Sequence, residues 1–121
     1  MLATSAPLVR LRSASPATAQ LSVRAHELGL TRVGVFVNEK ADQIEKAVET
    51  IGLDHVQLHG DETPRMARAL AAEGEWKVWK AVRAREPRDV RRAVERYGDF
   101  VAALLVEGWK EGVSGGGGAR L

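Results

Sequence analysis

The sequence predicts an α/β fold in which parallel strands alternate with helices. Three observations carry this reading. Val33, Val56, Val78 and Val101 each open an apolar run, and they lie 23, 22 and 23 residues apart. The segments between the runs place apolar residues at helical spacing and have capping residues at their ends. A strand–helix repeat of this length joins parallel neighbours, because a helix is the usual crossover between them. Four such units amount to half of an eight-stranded (β/α) barrel, which is the expected architecture. A doubly wound flavodoxin-like sheet is the alternative; it needs about five strands, and the short, equal period favours the barrel.

Residues 1–14 read as an irregular lead-in. Arg10, Arg12 and Arg24, with no acidic residue before Glu27, superficially suggest a transit peptide. Ser15 as a cap and Pro16 as the first helical residue favour a domain helix instead, with Leu21, Ala25 and Leu28 on one face before Gly29. Arg32 to Asn38 is an almost uninterrupted apolar strand, as expected where helices cover a parallel sheet. A helix over about Ala41 to Ile51 has Ile44, Ala47, Val48 and Ile51 as its stripe and stops at Gly52. The second strand is His55 to His59. Thr63 caps the next helix, Pro64 opens it, and Met66, Ala69 and Leu70 form its stripe before Gly74. The third strand is about Trp76 to Arg83. A helix from about Pro87 to Tyr97 places Val90, Ala93, Val94 and Tyr97 together, and Phe100 to Val106 is the fourth strand. Residues 112–121 read as a Gly-rich loop or tail, and the 121 residues as a single partial-barrel domain.

Composition narrows the function. Charged residues are 28% and hydrophobic ones 45%, ordinary for a globular chain. The 18 basic and 16 acidic residues are interspersed, which argues against a nucleic-acid partner. Cysteine is absent, so there is no disulfide framework and no thiolate ligand or nucleophile. The three histidines (His26, His55, His59) are not at ligand-like spacing, and no metal or cofactor is expected. No apolar run reaches the roughly 18 residues of a membrane span. A cytoplasmic protein is expected.

In either fold, chemistry belongs to polar groups just beyond each apolar run. These are Asn38; His59 with Asp61 and Glu62; Arg83 with Arg85; and Glu107. Asn38 suits a turn. Asp61 and Glu62 lie beside a helix N-terminus, where the dipole favours acids. Arg83 and Arg85 suit solvated positions. Glu107, an acid directly after a hydrophobic strand, is the strongest candidate for general-acid work. The Gly115 to Gly118 run has no following helix and no Lys-Ser/Thr, so it is not a P-loop.

Together these segments resemble the phosphoribosylanthranilate isomerase family of tryptophan biosynthesis. Arg32-Val-Gly-Val-Phe-Val-Asn38 and Val56-Gln-Leu-His-Gly-Asp-Glu62 look like the family's third and fourth barrel strands with their loops. Trp79-Lys-Ala-Val82 is similar to the fifth, and Leu104-Leu-Val-Glu107 to the sixth, which ends Leu-Leu-x-Asp. Gly112-Val-Ser-Gly-Gly-Gly-Gly118 resembles the family's Gly-x-Pro-Gly-Gly-Thr-Gly loop. Upstream, Arg12-Ser-Ala-Ser-Pro16 matches an Arg-x-x-Ser-Pro segment.

The resemblance implies a cofactor-free Amadori rearrangement of a small phosphorylated substrate. It puts Glu107 at the general acid's position, Arg12 at that of a substrate-contacting arginine, and His59 at the pocket rim. The chain departs from the family in three ways. Glutamate replaces aspartate as the acid. The family's basic cysteine, on its first strand, has no counterpart. The phosphate site of such barrels lies in loops after strands seven and eight, beyond the matched segments. Two readings follow: an isomerase represented by a truncated frame or fragment, or a non-catalytic half-barrel that self-associates through open sheet edges. In the second, the interior faces of Val35, Val37, Leu58 and Val78 are expected to be exposed as well.

Overall fold

A computed structural model describes residues 7–12 and 15–108, and among these five strands alternate with four helices. They run β1 (Leu8–Leu11), α1 (Pro16–Glu27), β2 (Thr31–Phe36), α2 (Ala41–Ile51), β3 (His55–Leu58), α3 (Pro64–Glu73), β4 (Lys77–Ala84), α4 (Pro87–Tyr97) and β5 (Ala103–Gly108). The strands pair in parallel in the order β1-β2-β3-β4-β5 and curl into part of a barrel. Sequential order excludes the doubly wound alternative, whose order reverses at a switch point. No helix among the described residues is long and apolar enough to cross a membrane.

The sequence led to four strands, and the structure has five. The extra one, β1, falls inside the segment read as an irregular lead-in. Leu8 to Leu11 pair with Thr31 to Gly34, and Pro7 O accepts a hydrogen bond from Thr31 N. Four residues are too few for a periodicity to register. The unpaired edge of β2 supplies what the local sequence does not, because its N–H and C=O groups need partners. The Gly115–Gly118 run lies outside the described residues.

The helix boundaries follow their caps. Ser15 Oγ accepts from Thr18 N at 3.2 Å and Thr63 Oγ1 from Met66 N at 3.2 Å, each before a proline. Gly52, at φ 83°, ends α2 in the left-handed region. In the first turn of α4, Asp89 accepts from Arg85 N at 2.9 Å and Glu86 N at 3.1 Å, and these backbone donors hold its carboxyl below the ordinary value.

Strand register separates two faces. Leu11, Val56, Leu58 and Val78 point to the helices and pack with Ile44, Ile51, Leu70 and Tyr97 in the main core. Arg10, Val35, Gln57, Trp79 and Glu107 belong to the opposite, concave face. Of the residues expected to be exposed inside the barrel, Val37 is 60% exposed, but Val35 on the concave face is 7% exposed, and Leu58 and Val78 lie beneath the helices at 0% and 1%. Strands apolar on both faces do not reveal which alternate set faces in.

Three helix stripes also shift. The α2 stripe is buried as expected. On α1, however, Ser22 and Ala25 are buried while Leu21 and Leu28 are 63% and 60% exposed. The Ser22 hydroxyl donates to Ile51 O and accepts from Arg32 Nη1, so a polar residue holds the inward position. On α4, Ala93 and Tyr97 are buried but Val94 is exposed; on α3, Ala67 and Leu70 are buried and Ala69 is exposed.

Candidate active site

The carboxyl ends of β2 to β5 border a cleft of about 660 Å³ whose walls include Asn38, His59, Lys80, Arg83, Tyr97 and Glu107. Chemistry in (β/α) barrels gathers at this end, because loops there converge over the open mouth. Glu107 lies within β5, beyond the expected strand end at Val106, and stands in register with Arg83 of β4.

His59 and Glu107, singled out separately in the sequence, meet. His59 Nε2 lies 3.2 Å from Glu107 Oε1, with the side chains 25% and 39% exposed. The contact is part of a longer chain. Gln57 Nε2 is 3.0 Å from His59 Nδ1, and Arg10 Nε donates to Gln57 Oε1 at 3.1 Å. The chain crosses the concave face from β1 through β3 to β5, using alternate strands as barrel side-chain layers do. Arg10 and Gln57 were not anticipated. Arg10 fell in the supposed lead-in, and Gln57 was only a motif letter between Val56 and Leu58. A polar residue that interrupts an apolar strand is the signal that would have found it.

Arg12 sits two residues after Arg10 and is exposed. It borders a second cleft of about 460 Å³ with Leu11, Phe36 and Glu39, while Val37 borders both clefts. Arg12 is therefore on the same rim as His59 and Glu107 but not in the same cleft.

Asn38 and Glu62 tie the strand ends together. Asn38 has φ 53°; its Oδ1 accepts from Asp61 N at 2.7 Å and its N donates to Glu62 Oε2 at 2.8 Å. Glu62, expected as an acid favoured by a helix dipole, is 4% exposed and accepts from Gly60 N and Lys80 Nζ. Tyr97 Oη donates to Glu62 O at 2.6 Å, and burial raises the phenol's pKa. Asp61, Arg83 and Arg85 are exposed.

Known proteins share this sequence pattern and fold. The family described as N-(5′-phosphoribosyl)anthranilate (PRA) isomerase matches residues 4–121. The chain is 38% identical over 115 residues to N-(5′-phosphoribosyl)anthranilate isomerase of Acetivibrio thermocellus, covering 89% of this chain and 51% of that one. It is 42% identical over 103 residues to the enzyme of that name from Myxococcus xanthus, covering 84% and 46%. The crystal structure of phosphoribosyl anthranilate isomerase from Thermotoga maritima superposes with a TM-score of 0.69 at 32% identity, covering 88% of this chain and 53% of that one. A further solved isomerase, holding reduced 1-(o-carboxyphenylamino)-1-deoxyribulose 5-phosphate, has a TM-score of 0.68 at 32% identity, covering 84% and 52%. The chain thus spans about half the length of the relatives it matches. By profile, identity and fold, it belongs to the N-(5′-phosphoribosyl)anthranilate isomerase family.

Proposed function

We propose that this chain carries the general-acid side of a phosphoribosylanthranilate isomerase site in tryptophan biosynthesis. The observation that carries the reading is the 3.2 Å contact between His59 and Glu107 at the mouth of the strand-end cleft. The substrate is N-(5-phosphoribosyl)anthranilate and the product 1-(2-carboxyphenylamino)-1-deoxyribulose 5-phosphate. The reduced product analogue held by a relative of the same fold supports this choice. Glu107 gives a proton to the ribose ring oxygen as the C–O bond breaks. A base then removes the proton from C2′, and the enolamine so formed tautomerises to the aminoketose. Arg12 serves as the substrate-contacting arginine and His59 as a rim residue.

The chain has no cysteine to act as the family's base. Loss of a general base costs about 10² to 10⁴ in rate. Glutamate also extends the acid by one methylene, roughly 1 Å, a misplacement on the scale that costs about 10²-fold. The 121 residues alone are therefore not expected to turn over substrate. Complementation of a tryptophan-requiring strain lacking the isomerase tests this. Growth requires the chain to be joined to the remaining strands of a relative; growth on the 121 residues alone refutes the assignment of base and phosphate site, and no growth from the joined barrel refutes the function.

A second reading is a self-associating half-barrel without catalysis. It is favoured by the sheet edges, since β1 and β5 each pair on one side only among the described residues. Both readings fit a cytoplasmic protein, given interspersed charges and no cysteine.

A further inference from the structure

We propose that Arg10 and Gln57 are positioning residues for Glu107, acting by fixing the tautomer of His59. The inference deepens the reading of Glu107 as the acid and rests on it for its catalytic meaning. A carboxamide has one accepting and one donating end, and a neutral imidazole has one of each. Arg10 Nε is a donor only, so the Gln57 atom 3.1 Å away must be its oxygen. Turning the amide over would set its NH₂ against the guanidinium, two donors face to face. With Oε1 committed to Arg10, Nε2 donates, and the atom it meets at 3.0 Å, His59 Nδ1, must accept. The proton of the neutral ring is then on Nε2, which points at Glu107 Oε1 from 3.2 Å.

Each link has one orientation because the first partner has no acceptor. The consequence falls on the carboxyl group. Oε1 is occupied by an N–H donor, so a proton on Glu107 resides on Oε2. In this tautomer the neutral His59 ring presents an N–H dipole to the acid. An imidazolium at the same distance would favour the carboxylate and oppose protonation of Glu107. Arg10 lies on an edge strand and is exposed. It thus acts on Glu107 from four strands away, through Gln57 and His59.

The test is nitrogen NMR of the three imidazole rings in the uniformly ¹⁵N-labelled full chain at pH about 8, where an ordinary histidine is neutral. In the wild type, His59 is expected to show a pyridine-type Nδ1 and a pyrrole-type Nε2. Gln57→Glu replaces the donor with an acceptor and should move Nδ1 to the pyrrole-type position. Arg10→Met frees the amide to turn and should bring both His59 nitrogens to intermediate, averaged shifts. The His26 and His55 resonances should stay in place and report an intact fold. A wild-type ring carrying its proton on Nδ1 overturns the proposal, as does a His59 signal unmoved by Arg10→Met, whose exposed position leaves folding intact if Gln57→Glu does not fold. The spectra need no turnover. An inactive joined barrel with the expected shifts refutes the isomerase reading alone, whereas an active one without them refutes the tautomer lock alone.

Discussion

Lys80 Nζ lies 3.1 Å from Glu62 Oε1, and the two side chains are only 3% and 1% exposed. The charges are matched and nearly every remaining valence is used. Lys80 also donates to Gly60 O at 2.7 Å and Ala81 O at 3.0 Å, while Glu62 accepts from Asn38 N and Gly60 N, both at 2.8 Å. One ion pair therefore ties the loops after β2 and β3 to the middle of β4, beside the rim on which His59 stands.

Breaking this pair from either side should be costly. Glu62→Ala or Lys80→Met leaves one buried charge without its partner, at an expected cost of about 3–5 kcal/mol. The double variant should lose clearly less than the sum, because neither charge is then stranded. Urea denaturation of the four proteins gives the coupling; additive losses would contradict this role.

Gly60 is required for space. A Cβ there would lie 2.6 Å from Asn38 Oδ1 and 2.9 Å from Asn38 N. Gly60→Ala must push the β2 and β3 loops apart and should destabilise by about 1–3 kcal/mol. The same denaturation measurement checks it.

In a barrel completed with the remaining strands of a relative, Glu107→Gln should lower turnover by about 10²-fold or more, as loss of a general acid does. Glu107→Asp should raise it, because it withdraws the carboxyl by the methylene that separates this chain from its family. Steady-state kinetics on the three proteins distinguish the outcomes.

The isolated chain should self-associate. Val106 on the edge strand β5 is 48% exposed and Val37, beside the concave face, is 60% exposed. Open edges of this kind pair with other chains. Sedimentation velocity should show species larger than the monomer, and Val106→Lys should shift the distribution towards it. A stable monomer at all concentrations would exclude this reading.

Stability should fall with acid in two windows. Burial lowers the His55 pKa from 6.5; Asp54 opposes the shift and Lys77 assists it. The unfolded chain then binds more protons than the folded one below about pH 6.5, so stability declines as pH falls through that range. At Asp54, burial raises the carboxyl's pKa, but hydrogen bonds and charge from Arg32 outweigh it and leave the value below 3.8. The stability from that pair is present above about pH 4 and lost below it, and a carboxylate this exposed contributes at most about 1 kcal/mol. Thermal unfolding against pH should lose the upper window in His55→Phe and the lower one in Asp54→Asn.

The sequence alone determined the repeat, the helices and their caps. Those features are local: Ser15-Pro16, Thr63-Pro64 and Gly52 act on residues within one turn, and the 22- to 23-residue spacing of the apolar runs fixes parallel crossovers. It also marked His59 and Glu107, each by its place after an apolar run. Tertiary structure decided the rest. Leu8 to Leu11 became a strand only because β2 offered an unpaired edge. Leu58 and Val78 turned to the helices because register, not composition, assigns the faces of a strand that is apolar throughout. Glu62, which the sequence offered only as an acid at a helix start, is buried because Lys80 arrives from the next strand to neutralise it. The His59–Glu107 contact and its extension to Gln57 and Arg10 join residues of β1, β3 and β5 that are 47 or more positions apart at their longest steps. No local pattern encodes such a chain. It exists because parallel pairing in sequential order brings alternate strands onto one concave face.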